Sequence, residues 1–215
     1  MLTAFSMKYY IIALQKRGTM PRVDNEKFYS SAIEKHGLSA KGLNWFSKEY
    51  QELRFRALLE ILPKDLSRFS VVDAGCGFGD LYLYMQKKKR TPKNYIGLDS
   101  LVTMYEVASS RTGCEIQIAD VCRDKLPNAD IYICSGAMNT LSPFETTQFI
   151  HNCYNSANYA FYFNVLHGDL QSETYNYLTT EQIEAFAKEL GVLQVDYITD
   201  YVENDITVAF IKKSL

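Results

Sequence analysis

The sequence predicts an α/β fold: a doubly wound, seven-stranded, mostly parallel sheet with an antiparallel C-terminal strand pair, plus N-terminal helices. Three observations predict it. From residue 70 onward, short apolar runs alternate with amphipathic stretches, the pattern of βαβ units in a parallel sheet. The last two apolar runs are joined by a polar turn with no helix between them, so they pair as a hairpin. The first apolar run leads directly into a glycine-rich turn and a helix, and in open α/β sheets ligands bind at such strand ends.

The elements follow in order. Tyr9 to Leu14 is a short apolar stretch with only Lys8 as a basic neighbour, which reads as a short helix or strand rather than a signal peptide. Met20 is a candidate alternative start. Asn25 to about Leu62 reads as helical in two pieces. In the first, Phe28, Ala32 and Ile33 recur at helical spacing and Gly37 is the stop. In the second, Trp45, Tyr50, Leu53, Phe55, Leu58 and Leu59 recur along a longer amphipathic helix, with Ser47 as candidate N-cap and Pro63 as terminator. Strands are expected at 70–73, 95–99, 115–119, 130–134, 159–165, 192–197 and 206–211. Helices are expected at 80–88, 101–110, 143–156 and 180–190, the last with Glu181 and Glu184 near its positive end. The division expected is a helical leader or cap over 1–64 and a ligand-binding domain over 65–215.

Composition narrows the function classes. The chain has 215 residues, 47% of them hydrophobic and 22% charged, enough to bury a core without disulfides or metals. A net charge of −2 supplies no overall field toward nucleic acid or an anionic membrane. Cys76, Cys114, Cys122, Cys134 and Cys153 are odd in number and lack C-x-x-C spacing, as expected of a reduced cytoplasmic protein. His36, His151 and His167 lie far apart in sequence and form no metal-ligand spacing. No apolar run reaches the roughly 18–20 residues that span a bilayer.

The turn Asp73-Ala74-Gly75-Cys76-Gly77-Phe78-Gly79 carries the strongest signal. Gly75, Gly77 and Gly79 let backbone approach a ligand at the N-terminus of the next helix. A dinucleotide fingerprint, G-x-G-x-x-G, would need a glycine at residue 80. The chain has Asp80 there, and Asp73 precedes the loop. Two acids would repel a pyrophosphate and favour a cation. S-adenosylmethionine (SAM) carries a sulfonium and an ammonium group and fits that charge. Asp99 ends the second strand, where a carboxylate accepts from both ribose hydroxyls; the alternative is a cap for the following helix. Ser100 adjoins it. Asp120 ends the third strand, where it would accept from the adenine amino group while the Val121 N–H reaches a ring nitrogen; the alternative is an Asx turn.

These residues carry a resemblance. Val71 to Asp80 resembles motif I of class I, Rossmann-like SAM-dependent methyltransferases, and Asp99, Asp120 and Cys134-Ser135-Gly136 resemble its next three motifs in order. The resemblance covers about residues 65–213 and implies SAM as cofactor, held by Asp73, Gly75, Cys76, Gly77, Gly79, Asp99, Ser100, Asp120, Val121, Ser135 and Gly136. The segment Gly42 to Phe55 is similar to a leader in a small bacterial subset of the family. That similarity implies that Trp45, Gln51 and Arg54 face the cofactor, with Arg54 on the methionine carboxylate. The alternative makes Trp45 a packing anchor and Arg54 a surface or interhelical charge.

Methyl transfer from a sulfonium is a displacement in which the protein mainly positions two reactants, so no catalytic dyad need appear. The acceptor is expected past the fourth strand, near Ser135 to Thr140. Asn139 is a candidate for orienting it, or a turn former. His167 is the best-placed candidate base, or a solvated loop histidine. The Asn/Asp-Pro-Pro-aromatic tetrad of one large group of nucleic-acid amino-methyltransferases is missing there. The run Lys87-Lys88-Lys89-Arg90 reads as a solvated helix end that complements the helix dipole. The leading expectation is therefore SAM-dependent methylation of a small molecule, with no membrane partner and a nucleic-acid partner disfavoured. An RNA or protein acceptor, a non-catalytic binding subunit and an NAD(P) dehydrogenase are the competing readings.

Overall fold

Helix caps written into the sequence set the boundaries of the leader. In the computed structural model, which describes residues 23–213, the Asp24 carboxylate accepts from the Lys27 N–H at 3.1 Å and opens α1 (Asn25–His36). That satisfies one of the first-turn donors that lack an intrahelical partner. Gly37 closes α1. A short 3-10 turn, Ala40–Leu43, leads to α2 (Lys48–Ile61), capped by Ser47 as expected, its hydroxyl accepting from Tyr50 N–H at 3.1 Å. The stretch Tyr9–Leu14 and Met20 lie outside the described residues.

The strands and helices then alternate: β1 (Ser70–Ala74), α3 (Asp80–Lys87), β2 (Asn94–Asp99), α4 (Val102–Thr112), β3 (Glu115–Ile118), β4 (Ala129–Ser135), α5 (Pro143–Ser156), β5 (Ala157–His167), β6 (Tyr177–Leu178), α6 (Thr180–Leu190), β7 (Gln194–Ile198) and β8 (Asp205–Ile211). The sheet runs β3-β2-β1-β4-β5-β8-β7. Strands β3 to β5 are parallel, and β8 lies antiparallel between β5 and β7. The closing hairpin is as expected. Among the described residues the count is eight strands, not seven. The added strand, β6, is two residues long and pairs only with the end of β5, at Leu166 and His167. Two residues next to the Thr179 cap carry no readable period.

Alternation along the strands separates two cores. Val72, Tyr132, Cys134, Phe161 and Phe163 face α5 and α6, meeting Phe149, Ile150, Ile183 and Phe186. Val71, Ile131, Ile133, Ala160 and Tyr162 face the other way, toward Leu58 and Leu62 of the α2 region and Leu81 and Met85 of α3. Period two on a buried parallel sheet requires this division. Helix α2 is therefore part of a packed layer. Its last carbonyls are closed by Arg90, whose guanidinium donates to the carbonyls of Leu59, Leu62 and Pro63. Lys87, Lys88 and Lys89 are exposed, as read from the sequence.

Among the described residues no helix is long and apolar enough to cross a membrane, and no group of three or more His, Cys, Asp or Glu could hold a metal. All five cysteines are free thiols. Leu58 is 0% exposed. Leu58→Ala should cost about 2–5 kcal/mol, read as a lower urea midpoint. An unchanged midpoint would mean that α2 is not integral to the core.

Candidate active site

A cavity opens at the C-terminal ends of β1, β2 and β4, roofed by the leader. The loop after β1 contributes Asp73, Gly75, Cys76 and Gly77 to its wall, and the ends of β2 and β3 contribute Asp99, Ser100, Asp120 and Val121. The turn after β4 contributes Ser135, Gly136 and Asn139, and the leader contributes Trp45 and Gln51. The structure thus gathers residues from six sequence segments around one space. Three of the expected residues lie outside the lining. Gly79 faces α4, where a Cβ would meet Thr112 and Ala108. His167 is held by its Nδ1 at 2.8 Å from the Leu178 carbonyl. Arg54 is fully buried behind Trp45 and Gly136.

Two glycines are required by close approach. Gly75 has φ 77°, and a Cβ there would sit 2.2 Å from the Ala137 Cβ. Gly136 has φ 87°, and its Cβ would sit 2.8 Å from the Trp45 ring. Both conformations are disfavoured for side-chain-bearing residues, so the two loops are locked against each other and against Trp45.

Asp99 organises the cofactor side. Its Oδ2 accepts from the Gly77 N–H at 3.0 Å and its Oδ1 from the Leu101 N–H at 3.1 Å. The expected alternative, a helix cap, is thus present as well. A carboxylate offers about four acceptor positions, so these bonds do not exhaust its acceptor capacity. Asp120 likewise forms an Asx turn, Oδ1 accepting from the Cys122 N–H at 2.9 Å, while lining the cavity. Asp80 is held by Arg111 at 2.7 Å and by Gln51 at 3.2 Å. Asp73 accepts from the Tyr95 hydroxyl at 2.6 Å.

Burial is the main force on these acids. It pushes Asp73 up to about 7, opposed by the Tyr95 hydrogen bond and assisted by the Asp99 charge. It pushes Asp99 up to about 6, opposed by the N–H donors of Leu101, Gly77 and Ser100. Both groups therefore gain from a nearby cation. Asp73, Asp80, Asp99 and Asp120 line the cavity, with no Lys, Arg or His among the described lining residues.

Arg54 found a partner that sequence spacing does not reveal. Its Nε lies 2.9 Å from Asp205 Oδ2 at the start of β8, 151 residues away, and both side chains are 0% exposed. Burial raises the Asp205 carboxyl above its ordinary value and Arg54 pulls it back. The Trp45 ring covers the guanidinium at 5.1 Å. Nη1 and Nη2 have no hydrogen-bond partner among the described residues, and Nη1 is 3.2 Å from where a Gly136 Cβ would stand. The leader also supplies Asn25, Phe28 and Tyr29, which the sequence reading left in the helical pattern. The structure shows why: α1 buries only Ala32, so its aromatic residues are not spent on the core. Tyr175, from the segment before β6, carried no signal.

Residues 71–158 match the family model described as a methyltransferase domain. No curated protein matches the chain. Magnesium protoporphyrin IX methyltransferase of Synechocystis PCC 6803, solved with bound S-adenosylhomocysteine (SAH), superposes at TM-score 0.63 and 13% identity over 76% of this chain and 84% of that one. A SAM-dependent methyltransferase of Mesorhizobium loti superposes at 0.57 and 16% identity over 73% and 96%. Human N-acetylserotonin methyltransferase in complex with SAM gives 0.59 and 16% identity over 74% of this chain and 52% of that one. At these identities the structures establish the fold. The chain has the fold of class I, Rossmann-like methyltransferases, and residues 71–158 match a methyltransferase domain, which together support an enzyme that uses SAM.

Two predictions follow from the charges. Asp205→Ala strands a buried guanidinium and should cost about 3–5 kcal/mol in chemical unfolding, and the double variant Arg54→Met/Asp205→Leu should recover most of it. Asp73 and Asp99 have raised values, so their contribution to the stability of the ligand-free protein is full below about pH 4 and is lost as pH rises through about 6 to 7. A cation reverses that loss. SAM should therefore bind at least about fivefold more tightly at pH 8 than at pH 5.5, and Asp73→Asn should flatten the profile. Calorimetry at both pH values checks this.

Proposed function

We propose that the enzyme transfers the methyl group of SAM to a small-molecule acceptor. The supporting observation is the charge of the cavity: four carboxylates and no cation among the described lining residues. A phosphate backbone is recognised by cations, so this lining disfavours RNA. The names of two structural relatives, the magnesium protoporphyrin IX and N-acetylserotonin methyltransferases, are those of enzymes acting on small molecules.

Three features fit SAM. The glycine loops present bare backbone at the cavity wall, packed too closely against Ala137 and Trp45 to admit a Cβ. The raised carboxylates of Asp73 and Asp99 gain from a sulfonium and an ammonium. The unpartnered Nη1 and Nη2 of Arg54 are suited to the carboxylate of the methionine end once Trp45 gives way. In this reading Asp99 and Ser100 hold the ribose, and Asp120 and the Val121 N–H hold the adenine. Gly75, Cys76, Gly77, Ser135 and Gly136 shape the methionine channel, with Gly79 setting the start of α3. Gln51 positions Asp80, and Trp45 covers the reacting end. Bound SAM supplies a methyl group already activated for displacement. The protein's part is orientation and exclusion of water. Of the expected division after residue 64, the described part of the leader, residues 23–64, acts as the roof and the described part of the rest as the cofactor domain, although α2 is packed into the latter.

Calorimetry with SAM and SAH tests the reading. Saturable binding is expected, and a folded protein that binds neither at high micromolar concentration would reject it. Asp99→Ala should weaken both ligands by at least about tenfold; unchanged affinity would reject the ribose assignment.

A further inference from the structure

The half of the cavity away from the glycine loop has a chemistry of its own. It is bounded by α1, by the 3-10 turn Ala137–Thr140 after β4, and by the segment leading into β6. Phe28, Tyr29 and Tyr175 give it aromatic walls, with the Phe28 and Tyr29 rings 5.2 Å apart and nearly perpendicular. Its polar groups are Asn25, Tyr29, Asn139 and Thr140. None of these is charged.

Each polar group has a defined state. The Tyr29 hydroxyl is enclosed and hydrogen-bonds with Thr140, and burial, assisted by the Asp99 charge, pushes it up to about 12. It stays protonated and cannot act as a base near neutrality. Thr140 Oγ1 also reaches Asn25 Oδ1 at 3.4 Å. Asn139 is fixed from both sides: its carbonyl accepts from Asn176 N–H at 2.7 Å and its Oδ1 from Leu166 N–H at 3.4 Å. That leaves the Nδ2 amide group of Asn139 as a rigid donor. The Cys76 thiol on the cavity wall and the buried Cys134 thiol outside it are pushed up by burial, so neither is a thiolate. His167 points to the Leu178 carbonyl.

The nucleophile therefore meets neutral donors and aromatic faces, and no basic side chain in this half among the described residues. That selects among acceptors. A carboxylate or thiolate would be repelled by Asp73, Asp99 and Asp120. An alcohol, a phenol or an aliphatic ammonium must first lose a proton to a base. A weakly basic nitrogen on a planar ring has a free lone pair at neutral pH, stacks on aromatic walls and accepts from amide or hydroxyl donors elsewhere on the ring system. We propose that the acceptor is a planar, uncharged heteroaromatic or aryl amine methylated on nitrogen, seated between α1 and the segment before β6, with Tyr29, Asn139 and Tyr175 determining specificity. This deepens the proposed function and rests on it. In the transfer, the nitrogen lone pair forms the N–CH3 bond as the S–CH3 bond breaks with its electron pair on sulfur. A ring nitrogen without hydrogen keeps the positive charge; an N–H nitrogen releases its proton to water.

The test is binding to the SAH-loaded protein by calorimetry, with SAM turnover read as SAH release. The probes are quinoline, benzimidazole and 2-aminonaphthalene against 2-naphthoate, 2-naphthol and cyclohexylamine. The nitrogen probes should bind, and 2-naphthoate should not. Tyr29→Phe and Asn139→Ala should each weaken the nitrogen probes by about fivefold to tenfold while SAH affinity stays within about twofold. Tyr175→Ala should do the same through lost stacking, and Tyr175→Phe should restore binding. Preference for 2-naphthoate or 2-naphthol, or no binding of any nitrogen probe to a protein that binds SAH normally, overturns this inference and leaves the proposed function standing. Failure to bind SAH overturns both.

Discussion

The buried guanidinium of Arg54 joins three parts of the molecule that would otherwise be independent. It sits on α2, it pairs with Asp205 where β8 begins, and it carries Trp45 on its face beside Gly136. From Asp205 the hydrogen bonds run on through Tyr201, Thr207 and Asn164 to Ser135 at the cavity wall. Asn164 also donates to the Arg54 carbonyl at 3.3 Å. A charge removed from water is tolerated only when its partners hold fixed positions, so this network constrains where the leader lies on the sheet. It also sets the position of Trp45, and hence the roof of the cavity. Two guanidinium donors remain unmatched by protein, an arrangement that costs stability unless something from the cavity supplies an acceptor.

The acids on the other side oppose that positive centre. Burial raises both Asp73 and Asp99, the Asp99 charge raises Asp73 further, and Tyr95 and three backbone N–H groups restrain the effect. Without a cation both carboxyls hold protons more tightly than they would in water. The acids favour a ligand that is positive near the glycine loop, and in the proposed reading its negative end lies toward Arg54 behind Trp45. SAM has that distribution, with its sulfonium and ammonium next to its own carboxylate, whereas a pyrophosphate would meet the acids with the wrong sign.

Most of the fold was legible because its signals are local. Ser47, Gly37 and Pro63 placed the leader helices, short apolar runs placed the strands, and the missing helix before the last strand gave the hairpin. Local signals also brought Asp73, Gly75, Asp99 and Asp120 to one cavity wall, since each stands at a strand end and strand ends converge in a parallel sheet. What escaped was long-range or very short. Asp205 is an acid opening an apolar strand, and nothing near it in sequence names Arg54 as its partner. Strand β6 is too short to show a period. His167 looked well placed because it follows a strand, but the pairing of Leu166 and His167 with β6 turns its ring to a backbone carbonyl. Tyr29 was absorbed into a helical pattern that also fits an ordinary core helix.

In the proposed reaction the two halves of the cavity divide the work unequally. Activation resides in the methyl donor, so the donor half needs charge to hold a cation, and the sequence displays that charge. The other half must hold a second molecule without competing for the donor's positive charge. Neutral donors and aromatic walls do this, because they orient through dipoles and ring faces instead of net charge. Such residues are common in any core, which is why Tyr29, Asn139 and Tyr175 look unremarkable in sequence. Their meaning comes from the packing that fixes them: Asn139 by two backbone contacts, Tyr29 by Thr140, and the roof by the buried arginine behind Trp45.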